Sequence, residues 1–185
     1  RTYLTAQRMK LGESLGLEEA KRELLYSRID EEVNWLIEHK DRLTSAGSLG
    51  DLVSDSDEAS ERYRTTEPLI YEVLIAISNG KIKNFHQRLT QINQTLKSKI
   101  AEIRENEDKQ TTTLERWILE VENLLARSQD KQSAAEDLIV KIKPRERNKL
   151  GLYNQAQVKL KESHQYLKEA SGYLKEIVIE VKTAD

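Results

Sequence analysis

The chain has 185 residues, of which 34% are charged and 37% hydrophobic, with 7 Gly, 2 Pro and no Cys. Such a mixture is that of long helices and slender bundles, in which each helix buries one narrow stripe. It excludes disulfides and thiolate sites, and a net charge of −2 gives no overall positive field to hold nucleic acid.

In chain order, Thr2 to Leu15, closed by Gly16, reads as a short helix or the tail of a preceding unit. Apolar residues then recur at alternating steps of three and four: Tyr26, Ile29, Val33, Leu36 and Leu43, with Lys40 filling one step. This is the spacing of helices packed by knobs into holes. Thr44 to Gly50 is a small-residue stretch that should end that helix and reverse the chain, and Ser54-Asp55-Ser56-Asp57-Glu58 offers acceptors and negative charge for the next helix start. Ala59, Tyr63, Thr66, Ile70, Val73 and Ile77 continue the pattern. Pro68 within it predicts a kink or a fresh start capped by Thr66, and Asn79-Gly80 predicts a helix stop.

From Lys81 to about Ala126 there is neither Gly nor Pro. One stripe runs through Ile82, Phe85, Leu89, Ile92, Leu96 and Ile103, with Lys99 and Ile100 sharing a step; another begins at Leu114, Trp117, Ile118, Val121 and Leu125. The polar stretch between them, Arg104 to Thr113, predicts one continuous helix that rotates its buried stripe and changes partners. The alternative is a solvated loop at Thr111-Thr112-Thr113 joining two helices. Pro144, just after Ile142, should end whatever precedes it, and Tyr153, Ala156, Leu160, Ser163, Leu167, Ala170, Leu174, Ile177 and Val181 predict a long final helix. No run approaches the roughly 20 apolar residues of a membrane span. The opening Arg1-Thr2-Tyr3 has neither an initiator Met nor a signal pattern, so the chain reads as part of a longer, cytoplasmic protein.

The two tryptophans share a context: Trp35-Leu36-Ile37-Glu38 with Leu43 beyond, and Trp117-Ile118-Leu119-Glu120 with Leu125 beyond. An internal repeat of this kind marks a modular array. On these blocks, the heptads and the linker-like helix, the chain resembles the spectrin-repeat family of spectrins, dystrophin-like proteins, plakins and nuclear-envelope linkers. The resemblance implies an all-α fold of tandem antiparallel three-helix bundles joined by a continuous linker helix. A lead-in would span 1–16, a first repeat 17–107 with helices near 17–46, 52–79 and 81–107, and a short, atypical second repeat 108–185. Trp35, Leu36, Leu43, Trp117, Ile118 and Leu125 would be its core anchors.

Chemistry-bearing motifs are sparse. His39, His86 and His164 fall in three different helical stretches without a second His nearby, and read as helix-surface histidines. Counting a calcium loop from Asp55 puts Ser60 where Gly is needed and Thr66 where Glu is needed, so that pattern fails. No phosphate-binding or nucleophile-elbow motif occurs, and neither enzymatic activity nor a cofactor or metal is expected. The Asn93-Gln94-Thr95 sequon lies within a strong heptad run, where a glycan would be awkward. Lys141, Lys143, Arg145, Arg147 and Lys149 form one basic cluster that could meet an acidic filament surface or anionic lipid headgroups, although a solvated loop near a helix end is the favoured reading.

The expected function is a rod or spacer in a large cytoskeletal linker protein, separating and coupling terminal domains that meet cytoskeletal or junctional partners. A helix of about 30 residues is roughly 45 Å long, so two bundles sharing one helix would span about 90 Å. The alternative is an adaptor that docks a partner on a bundle face, with Leu69, Ile70, Leu74 and Ile75 as the surplus apolar surface, unless that helix is buried on two sides. Self-association is a third reading.

Overall fold

The computed structural model describes residues 1–107 and 111–184. Among them every regular element is helical: α1 (Thr2–Gly12), α2 (Glu19–Ser45), α3 (Leu49–Glu107), α4 (Thr112–Val140) and α5 (Lys149–Ala184). Among the described residues no helix is long and apolar enough to cross a membrane. The residues fall into two compact units, the first made of 1–81 and 136–156, the second of 82–135 and 157–185. Helices α3, α4 and α5 thus each contribute to both.

In the first unit, α1 and α2 lie antiparallel, with Arg8 Nε donating to Asp30 at 2.8 Å and its guanidinium over the Tyr26 ring. Gly16 sits between them at φ 89°, a left-handed conformation that glycine adopts without a Cβ clash. Arg22 ties this connection down by donating to the carbonyls of Ser14 and Leu17. Helix α2 ends where the small residues begin: Thr44 and Ser45 turn their hydroxyls back onto the carbonyls of Lys40, Asp41 and Arg42, which supplies partners for the last turn. Ser48 Oγ then accepts from the Asp51 amide at 3.2 Å and opens α3. The acidic stretch at Ser54 to Glu58 therefore lies in the early turns of α3 rather than ahead of it. Arg28–Glu72 and Arg42–Glu58 ion pairs show α2 and α3 running antiparallel. The core that joins α1, α2 and α3 is Leu4, Leu11, Leu25, Ile29, Leu69, Val73, Ala76 and Ile77.

Neither a fresh helix start at Pro68 nor a stop at Asn79-Gly80 is formed in α3. Pro68 is held inside the helix, and Thr66 caps nothing: its hydroxyl donates to Glu32 at 2.6 Å and to the Arg62 carbonyl. Asn79-Gly80 is not a helix stop either. A Cβ on Gly80 would lie 2.5 Å from Ser14 Oγ, so this glycine permits the close approach of the α1–α2 connection. Asn79 is 3% exposed and donates to Glu136 at 2.7 Å. Packing demands the two residues that elsewhere end helices.

The second unit packs three helical segments. Lys97–Glu122 and Arg104–Glu115 pairs set α3 antiparallel to α4, and Lys131–Glu162 sets α4 antiparallel to α5. The core joins Leu89, Leu96, Ile100 and Ile103 to Ile118, Val121, Leu124 and Leu125 and to Leu167, Ala170, Leu174, Ile177 and Val181. In α5 the predicted stripe is buried throughout, from Ala156 to Val181. Its one hydroxyl member, Ser163, meets Ser128 Oγ at 2.8 Å with both residues fully buried, and Gln132 donates to Ser128. A buried polar layer whose members satisfy one another favours one register over others.

The shared linker helix expected across Arg104 to Thr113 is not formed. Helix α3 ends at Glu107 and α4 starts at Thr112, antiparallel to it, so there are two helices here, but Thr112 and Thr113 belong to α4 and Thr111 is buried rather than in a solvated loop; Asp108 to Gln110, at the centre of that expectation, lie outside the described residues. Helix α4 also runs unbroken through Gln132 to Val140 in place of a separate middle helix. The position expected to divide two repeats thus falls at the α3–α4 reversal, within the second unit. In α3 the buried stripe passes through Asn93, 4% exposed, and leaves Ile92 44% exposed. Burial of Asn93 also places its side chain away from any glycan.

Candidate functional site

The sequence-matched tryptophans occupy different environments. Trp117 packs on the second unit's core beside the buried Ile118 and Leu125. Trp35 is half-buried outside the apolar cluster of the first unit, where Leu36 contributes and Leu43 is exposed. Of the six expected anchors, Leu43 and Trp35 do not sit in a core. The difference was not visible locally because both blocks carry the same residue types.

The expected partner face is interior. Leu69 and Ile75 are 2% and 3% exposed, and Ile70 and Leu74 are half-buried. Large exposed apolar side chains appear instead at the start of α3, where Leu49, Leu52 and Val53 share one face. In the basic cluster, Lys141, Lys143, Arg145 and Arg147 are exposed around the α4–α5 connection, while Lys149 leaves it to pair with Glu67 at 2.8 Å. An open groove of about 310 Å³ in the second unit has Lys97, Arg104, Glu115 and Leu119 on its walls.

The densest chemistry lies between α2 and α3 in the first unit, around Trp35. His39 stacks on the indole with ring centroids 4.5 Å apart and planes 15° from parallel. Arg62 stands over the Trp35 ring, 5.5 Å from its centroid, and reaches Glu32 at 2.8 Å. Thus a carboxylate that is almost buried gains a guanidinium and the Thr66 hydroxyl as donors, which offsets its desolvation. One turn further along, a single nitrogen of Arg42 lies 2.8 Å from His39 Nδ1 and 2.8 Å from Glu58 Oε2. Its hydrogen bond holds the Glu58 carboxyl below the usual carboxylate range, and Glu58 in turn raises Arg42.

His39 is not the surface histidine its isolation in sequence suggests. It is 4% exposed, and its Nε2 is buried without a hydrogen-bond partner. Its register on α2 faces the first turns of α3, and one ligand atom each from His39, Asp55 and Glu58 lies within 4.8 Å of the others. Asp55 and Glu58 are adjacent on one face of α3 by helical spacing; only the α2–α3 pairing brings His39 to them. By contrast, His86 Nε2 contacts the Leu125 carbonyl and His164 meets Phe85 edge-on, each in the second unit. Comparison with protein-family models, with curated proteins and with solved structures finds no match to this chain.

Proposed function

We propose that this chain is a structural spacer segment, of the kind that separates and mechanically couples binding domains in a cytoskeletal linker. The observation that carries this reading is the 59-residue α3, which contributes to both compact units with no intervening loop. A continuous backbone hydrogen-bond ladder passes tension along its axis, whereas a flexible loop would let joined units yield separately. Lateral support comes from narrow apolar stripes and from ion pairs between helices, such as Arg28–Glu72 and Lys131–Glu162. The heptad spacing, with its likeness in sequence to spectrin repeats, points the same way.

The test is to tether the chain by its two ends and stretch it in an optical trap. Discrete, cooperative extension steps at reproducible force support the spacer reading. Smooth lengthening at low force, without a step, rejects it.

A second reading, a helical adaptor that binds a partner through a bundle face, has one observation in its favour. Leu49, Leu52 and Val53 are 77%, 43% and 55% exposed on consecutive turns of α3. Apolar side chains at this spacing are what a partner helix engages.

A further inference from the structure

We propose that His39, Asp55 and Glu58 form a binding site for one divalent transition-metal ion of the zinc type, at the position now held by the Arg42 guanidinium. The donor set is one imidazole nitrogen and two carboxylates, a mixture suited to Zn²⁺. The three donor atoms lie within 4.8 Å of one another. In a tetrahedral zinc site with bonds of about 2.0–2.1 Å, ligand atoms stand about 3.4 Å apart, so a closure of at most about 1.4 Å completes the set. Asp55 and Glu58 stand on the outer part of α3, where their side chains have room to make that movement.

The imidazole already turns Nδ1 towards the site. Arginine has no acceptor, so its 2.8 Å contact with His39 Nδ1 is a donation to the Nδ1 lone pair. The ring proton therefore sits on Nε2, which is buried and finds no acceptor. Trp35 stacks against the ring and fixes its plane. A ring held in this way, 4% exposed and with the Arg42 cation as its hydrogen-bond partner, presents its lone pair to the space between itself and Glu58. The same Arg42 nitrogen is 2.8 Å from Glu58 Oε2, so a cationic atom already marks the spot.

Charge and mobility favour exchange. Two carboxylates face one guanidinium, leaving a net negative site that a dication neutralises. Arg42 itself is 50% exposed and can swing into water. Ion pairs of such exposure contribute little stability, so the displacement costs little. Three protein ligands leave a coordination position for water, as in sites with incomplete protein shells.

The experiment titrates the whole chain with Zn²⁺ by calorimetry and with Co²⁺ by visible absorption, next to Asp55→Asn, Glu58→Gln, His39→Gln and Arg42→Gln. The expected result is one ion per chain and a higher Tm in its presence. Asp55→Asn and Glu58→Gln should each weaken binding by tenfold or more. Arg42→Gln, which removes the competing cation, should tighten it several-fold. Circular dichroism of each variant separates lost binding from lost folding; the Asp55, Glu58 and Arg42 variants keep the test valid if His39→Gln does not fold. Absence of binding to the unsubstituted chain at millimolar Zn²⁺ overturns the proposal, even if Arg42→Gln binds. So does binding that Asp55→Asn and Glu58→Gln leave unchanged, since the ion would then lie elsewhere.

Discussion

Replacing Leu124 by Ala should unfold the second unit at far lower denaturant than replacing its near neighbour Leu119. Both lie in α4, but Leu124 is 2% exposed against α3 and α5 whereas Leu119 is 63% exposed. Leu→Ala at Leu124 loses roughly 2–2.5 kcal/mol of transfer free energy. A residual cavity of some tens of Å³ adds up to about 1.5 kcal/mol, for a total of about 3–4 kcal/mol. With a urea m-value of about 2 kcal/mol/M, the midpoint falls by about 1.5–2 M. Leu119→Ala should stay within about 0.5 kcal/mol, or about 0.25 M. Each unit contains one tryptophan, so a Trp35→Phe background leaves Trp117 as the reporter of the second unit. Fluorescence of Trp117 through a urea titration reads the effect directly. Equal midpoint shifts for the two alanine variants would refute the assignment of α4's buried face.

Other outcomes follow from particular contacts. Gly80→Ala should destabilise by about 1 kcal/mol, because displacing Ser14 Oγ from the Ile77 carbonyl outweighs the helical gain of alanine. In a Ser14→Ala background the same change should become stabilising, and thermal melts that show no change of sign reject the close-approach argument. Arg62→Ala should cost about 1–3 kcal/mol by leaving the Glu32 carboxylate with Thr66 as its remaining donor. A double-mutant cycle with Glu32→Gln that gives additive effects would show no coupling between them. Lys131 holds Glu162 below the usual carboxylate range through a hydrogen bond. A depressed folded pKa gives stability present above the unfolded value of about 4.3 and lost as pH falls through the folded one. Lys131→Gln should therefore flatten the dependence of Tm on pH between about pH 5 and 3, and an unchanged profile contradicts the pairing.

Much of the helical content was legible because helix formation is read from local periodicity. The α5 stripe shows this best: residues at steps of three and four from Ala156 to Val181 are buried as the spacing requires. The reversal at Thr44 to Gly50 and the break around Pro144 were also local, since small residues, hydroxyl caps and proline act on the backbone within a turn. Where periodicity was interrupted by a polar position, it misled: Ile92 was the obvious apolar choice, yet Asn93 is the residue that faces the core.

Tertiary contacts decided the rest. Gly80 looks the same whether it ends a helix or admits a neighbour, and only Ser14, far away in sequence, selects the second role. The polar run after Ile103 is compatible with a continuous helix or a reversal, and the choice rests on whether Arg104 meets Glu115 across two helices. Trp35 and Trp117 share a sequence block but not a function in packing, because the chain folds His39 and Arg62 onto one and an apolar core onto the other. The juxtaposition of His39 with Asp55 and Glu58 likewise comes from pairing α2 with α3. The amino-acid sequence by itself determined that the periodic stretches are helical, since that depends on neighbours within a few residues, but not where α3 runs on and where it stops. Which faces meet, and hence where charge and imidazole converge, depends on contacts between residues remote in the chain, and only the folded arrangement supplies them.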